Sequence, residues 1–195
     1  MPLQSKVRIS MIRGTLDDLP QYNLPPLYTS RMYRPGDMDT WIQIESAADK
    51  YNTFDSQRFH NTFASGIESL PERLCFICAP DGTEIATATA WFDNNYHGRV
   101  FGRLHWVAVI PPYQGKGLSK PLVTITLNRL RQLGYTQAVV TTQPYRIPAI
   151  NLYLKFGFLP DITSADDRQN WQNVLAGFKQ QNLQTAVLNH TLEGK

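Results

Sequence analysis

Residues 107–133 constrain the fold more than any other stretch. They read Val-Ala-Val-Ile-Pro-Pro-Tyr-Gln-Gly-Lys-Gly-Leu-Ser from Val107 to Ser119 and then pass into a long amphipathic run. β-Branched residues stopping at two prolines predict a strand, and Gly115 and Gly117 predict a turn. The run after them predicts a helix over Lys116–Leu133, stopped at Gly134. On that helix Leu118, Leu122, Val123, Ile125, Leu130 and Leu133 make one broad apolar face, while Lys120, Thr124, Asn128 and Arg131 line the other. Pro121 fits the first turn, where its missing N–H has no partner to lose. A strand feeding a glycine turn and a helix start leaves N–H groups of partial positive charge unpaired, a setting that suits phosphate.

A chain of 195 residues is long enough for one domain with a sizeable core, taken here as 1–195. Its 42% apolar and 18% charged residues place it among folded globular chains rather than disordered ones. A net charge of +3 without Lys/Arg runs argues against nucleic acid as a partner. Met1 to Gly14 carries no apolar run of signal-peptide length and nothing elsewhere approaches a membrane span, so no membrane is expected. Cys75 and Cys78 sit in an apolar, strand-like run where residues three apart face opposite ways, and no second Cys pair completes a metal site. Buried, reduced thiols, a cytoplasmic location and no metal follow as expectations.

Residues 1–27, with Pro20, Pro25 and Pro26, read as an extended lead-in. A first strand is expected over Tyr28–Arg34, closed by Pro35-Gly36. Asp37 and Asp39 then open a helix through Trp41, Ile42, Ile44 and Glu45, and a second helix runs from about Asp55 to Ser65. Arg73–Ala79 and Glu84–Phe92 form a hairpin across Pro80-Asp81-Gly82-Thr83. Further strands are expected at Val100–Val109, Gln137–Thr142 and Phe158–Ile162, with a short helix over Arg146–Phe156. The core spans about 28–162, and 163–195 is a helical extension that includes Asp166–Leu175. A hairpin followed by strand–helix alternation specifies an α/β (α+β) sheet; Gly115-x-Gly117 alone does not make a doubly wound dinucleotide fold.

Two blocks, Ala108-Val-x-Pro111-x-Tyr-Gln114-Gly-Lys-Gly117-Leu-Ser119 and Ala149-Ile-Asn-Leu-Tyr153-Leu-Lys-Phe-Gly157-Phe158, resemble the acyl-CoA motif and the following helix-plus-strand motif of the GNAT superfamily of acyl-CoA-dependent N-acyltransferases. The order of elements over residues 28–162 resembles that family too. The resemblance implies a mixed, mostly antiparallel sheet of about six or seven strands, splayed around the acyl-CoA site and flanked by helices. It implies acetyl-CoA as cosubstrate, with Gln114, Gly115, Lys116, Gly117, Leu118 and Ser119 wrapping the pyrophosphate of coenzyme A. Ser119 stands where the family usually has Gly or Ala. The backbone of Val107, Ala108 and Val109 would pair with the pantetheine arm. Tyr153 would be the general acid that protonates the departing thiolate. Arg146 stands where many relatives carry Asn and is assigned to cofactor or substrate contact.

Many family members carry a Glu on the strand before the loop, but no carboxylate occurs between Gly98 and Ile110 here. Strand alternation would put Arg103, His105 and Val107 on one face, which makes His105 the nearest base or water-relay anchor. Asp37, Asp39 and Trp41, with Glu45, lie in the region that forms the acceptor-side wall in the family, where carboxylates would attract a cationic amine; Asp37 and Asp39 equally suit the helix dipole. The function implied is N-acetyl transfer to the primary amine of a small molecule, by a monomer or homodimer. Acetylation of a protein N-terminus or lysine, and acyl-CoA sensing without catalysis, are the alternatives.

Overall fold

The structure, a computed structural model, describes residues 7–176. In chain order its elements are β1 (Ile9–Arg13), β2 (Thr29–Met32), α1 (Met38–Ala48), α2 (Ser56–Phe63), α3 (Leu70–Arg73), β3 (Leu74–Cys78), β4 (Glu84–Tyr96), β5 (Arg99–Val109), α4 (Ser119–Gln132), β6 (Ala138–Thr142), α5 (Ile147–Lys155), β7 (Leu159–Pro160) and α6 (Ala165–Ala176). This is the α/β class expected. The described residues form two compact units: Leu16–Thr136, and residues 7–15 together with 137–176.

In the 16–136 unit, β2, β3, β4 and β5 form an antiparallel sheet in that order. The expected hairpin is there: the Ala79 N–H donates to the Thr83 carbonyl at 2.8 Å, and Gly82 supplies φ +88°. Because side chains alternate along a strand, the sheet has two distinct faces. Leu74, Phe76, Trp91 and Ala108 join Trp41, Ile44, Phe54, Phe59, Phe63 and Leu70 of the helical segments in an aromatic core. Cys75, Ile77, Ala86, Ala88 and Val109 pack instead with Leu118 and Leu122. Small alanines on β4 let α4 approach that second face closely. The two cysteines diverge as expected: Cys75 meets the Thr126 hydroxyl of α4 at 3.7 Å, whereas Cys78 lies beside Arg31 and Thr29. Both are free and buried.

Helix α4 begins at Ser119 rather than Lys116, because Gly117 at φ +78° still belongs to the turn. Its expected solvent face is partly covered. Thr124 is buried: its hydroxyl accepts the Tyr22 N–H at 3.3 Å and donates to the Pro20 carbonyl at 3.3 Å. Gln21 and Asn128 exchange amide hydrogen bonds nearby. The proline-rich lead-in therefore lies along the helix, a cover that periodicity within α4 cannot report.

In the other unit, β1 pairs antiparallel with β6 and with β7. Strand β1 falls inside the expected lead-in and was not foreseen. It buries Ile9 and Met11 with the alternation of a half-covered strand. Arg13, at its end, donates to the Phe156 carbonyl over Gly157, whose φ is +73° and where any Cβ would collide with the guanidinium. Helix α6 matches the expected Asp166–Leu175 helix and buries Trp171. The remainder of the 163–195 extension lies outside the described residues. Among those residues no helix is long and apolar enough to cross a membrane.

Candidate functional site

The glycine loop is built by its own backbone. After β5, Pro111–Tyr113 makes a single 3-10 turn, with Tyr113 N–H donating to the Ile110 carbonyl at 3.0 Å. The Gln114 side-chain amide then reaches back to the Val109 carbonyl at 2.9 Å, tying the loop to the strand end. Gly115 (φ +76°) and Gly117 (φ +78°) both occupy the left-handed region, where an L side chain is strained. Leu118 is buried and anchors the loop, while Gln114 to Gly117 are exposed.

The start of α4 has no side-chain cap and no acidic residue in its first turn. Its first intrahelical bond runs from Leu122 N–H to the Leu118 carbonyl, so the Ser119 and Lys120 N–H groups have no intrahelical acceptor. Lys116 Nζ lies 4.5 Å from the Tyr113 ring centre and Lys120 Nζ 4.8 Å from that of Tyr22. Open amides, two left-handed glycines and two nearby ammonium groups fit an anionic pyrophosphate.

Strand β5 departs from regular alternation at Trp106. Thr89 pairs with His105 but Thr87 pairs with Ala108, so β5 carries one extra residue, and Trp106 adopts φ +49°. This bulge overturns the expectation that His105 and Val107 share a face. His105 turns toward the aromatic core, 6.4 Å from Phe63 and 5.3 Å from Trp106 between ring centres. Val107 packs against the cluster under α4. A tryptophan in the left-handed region is strained by about 1–3 kcal/mol, and such strain gathers at functional segments. Sequence reading did not single out Trp106; the unbroken apolar run from Trp106 to Ile110 was the available signal.

The acceptor-side expectations fare differently from one another. Trp41 is fully buried among Phe54, Phe59, Phe63 and Trp106, so it is core rather than wall. Asp37 is gripped by Arg31 at 2.5 and 3.0 Å and by the Arg34 N–H at 2.6 Å, and Arg31 also holds Glu84 at 2.7 Å. Its carboxylate is therefore engaged within the fold, and no acceptor-side role is assigned to it. Asp39 is exposed in the first turn of α1, and Glu45 is buried.

In the second unit, Tyr153 is buried on α5 with its ring 6.1 Å from Phe158. Arg146 precedes α5, and its carbonyl accepts the Ala149 and Ile150 N–H groups at 3.0 and 3.1 Å.

Residues 38–158 match the model of the acetyltransferase (GNAT) family. A mycothiol acetyltransferase of Pseudarthrobacter chlorophenolicus is 29% identical over 146 residues, which cover 72% of this chain and 45% of that protein. N-acetyltransferase 8B of Rattus norvegicus is 39% identical over 61 residues, 31% of this chain and 28% of that one. The chain spans about half the length of the mycothiol acetyltransferase that it matches. Among solved structures, a GCN5-related N-acetyltransferase from Sphaerobacter thermophilus superposes with TM-score 0.66 at 20% identity, covering 79% of this chain and 48% of that one.

Proposed function

The chain belongs to the GNAT acetyltransferase family, and from that premise we propose that it moves an acetyl group from acetyl-CoA to the primary amine of a small molecule. The observation that carries this reading is the Gln114–Ser119 loop, with its two left-handed glycines and the uncapped start of α4. Its backbone amides would hold the pyrophosphate, with Lys116 adding charge. The backbone of Val107, Ala108 and Val109 would carry the pantetheine arm, and Arg146 would contact the donor or the acceptor. Relatives named as mycothiol acetyltransferases support a small-molecule acceptor.

In the reaction proposed, a deprotonated amine attacks the thioester carbonyl directly and the carbon–sulfur bond breaks. An alkylamine with a pKa near 10.4 is largely protonated at neutral pH, so a proton must leave before attack. His105, on the sheet face covered by α1 and α2, would take it directly or through water. Tyr153 would donate its phenolic proton to the departing thiolate. Orientation of the two substrates supplies the rest of the rate.

The test is amine-dependent release of the coenzyme A thiol from acetyl-CoA across a panel of small amines and peptides. A selective small-amine hit is the expected result. Selective turnover of peptides, or acetyl-CoA binding with no acceptor at all, would refute the small-molecule assignment.

A further inference from the structure

All 16 Asp and Glu residues lie outside residues 94–160, a stretch that carries eight Lys or Arg. Such an asymmetry of sign suits an anionic ligand. Within the 16–136 unit, Arg103 and Arg129 of that stretch are paired with Asp93 and Glu72. Lys116 and Lys120, on either side of the start of α4, are different. Among the described residues neither ammonium has a carboxylate partner.

Aromatic rings hold these two cations instead. Lys116 lies over Tyr113, whose ring is met edge-on by Tyr28 at 6.5 Å. Lys120, half-buried, lies over Tyr22 of the proline-rich lead-in. Tyr22 is itself fixed against α4: its N–H donates to the Thr124 hydroxyl, which donates in turn to the Pro20 carbonyl, and the neighbouring Gln21 exchanges amide hydrogen bonds with Asn128. Position 22 falls outside the 38–158 stretch that matches the family, so the placing of Lys120 is this chain's own. A ring orders the ammonium without neutralising it, which leaves its full charge for an anion. Lys116 belongs to the glycine loop, whose open amides already serve a pyrophosphate. Lys120 is drawn away from that loop toward the lead-in. Coenzyme A carries one further anionic group, the 3′-phosphate, a single ribose away from its pyrophosphate.

We propose that Lys120, positioned by Tyr22, reads the 3′-phosphate of the coenzyme A nucleotide. This rests on the acyl-CoA reading above. Calorimetric titration with coenzyme A and with dephospho-coenzyme A, which keeps the pyrophosphate and the pantetheine arm but lacks the 3′-phosphate, tests it without an acceptor. Wild type should bind coenzyme A about tenfold more tightly than the dephospho compound, the ordinary size of a charge-assisted contact. Lys120→Met keeps the aliphatic stem against Tyr22 and should bring the two affinities together by weakening coenzyme A alone. Tyr22→Leu should lower the preference by roughly two- to threefold, and Tyr22→Phe, which keeps the ring, should preserve it. A preference that survives Lys120→Met, or a loss shared equally by both ligands, overturns the assignment of Lys120. A Tyr22→Leu loss shared by both ligands, or one that Tyr22→Phe reproduces, overturns the positioning role. Wild-type binding of both ligands with equal affinity sinks the 3′-phosphate subsite alone, whereas binding of neither sinks the acyl-CoA reading and the subsite with it.

Discussion

At Asp37 burial favours the protonated acid, but the Arg31 hydrogen bonds, the Arg34 N–H and the attraction of both guanidinium groups outweigh it, holding the carboxyl below its usual range. A folded pKa below the unfolded one means that this contribution to stability is present above the ordinary carboxylate value near 3.9. It is lost as pH falls through the folded value. Asp37→Asn should therefore destabilise the protein by about 1–3 kcal/mol at neutral pH, the usual worth of charge-assisted hydrogen bonds, with the gap to wild type narrowing below about pH 4. Urea melts at pH 7 and pH 3.5 check both halves; a gap that stays constant with pH would show that the carboxylate charge is not the cause. Tyr153 belongs to the same scale. Tyr153→Phe should lower kcat by roughly 10²-fold, the ordinary size of a general-acid effect, while leaving acetyl-CoA affinity in place. A variant with wild-type turnover would remove Tyr153 from the proposed mechanism. Which acidic residue meets solvent was not legible in α1, because the partner of Asp37 sits on β2 and Arg31's second partner, Glu84, is 53 positions further along.

Among the elements, the loop before α4 was readable because its demands are local: φ above zero needs glycine, and an uncapped helix start needs an outside acceptor. Nothing lies within 4 Å of a Cβ placed on Gly117, so the cost of Gly117→Ala is conformational, about 1–2 kcal/mol. Distortion of the loop should also raise the KM for acetyl-CoA several-fold while the acceptor KM changes little. Steady-state kinetics with both substrates varied checks this, and an acceptor-only effect would contradict it. The bulge in β5 is the opposite case. Alternation predicted His105 and Val107 on one face, and one extra residue at Trp106 sent them to opposite faces. A period of two carries no memory of an insertion, so only the pairing with β4 reveals it.

For the whole molecule, the proposed function carries a thermodynamic consequence. A ligand that binds only the folded chain stabilises it by about 2.7 kcal/mol at a hundredfold excess over Kd. For a chain of this length each kcal/mol moves the melting point by about 2–4 °C, so coenzyme A should raise Tm by roughly 5–11 °C. Scanning calorimetry with increasing coenzyme A tests it; an unmoved Tm at millimolar ligand would argue against the binding loop. Strand β1 belongs to this scale because it acquires its meaning from partners far along the chain. Ser10 meets Thr141 across 131 positions, and five residues with modest alternation give no local reason to expect that pairing. Thr124 reads as a solvent-facing residue on α4 until Tyr22, 102 positions earlier, covers it. Taken alone, the amino-acid sequence determined every helix but the single turn at Leu70–Arg73, the hairpin, the glycine loop and the family motifs, because backbone torsion and hydrophobic period are settled within a few residues. Tertiary structure decided which polar groups are engaged within the fold and which face His105 occupies. Those outcomes depend on neighbours that only long-range packing brings together.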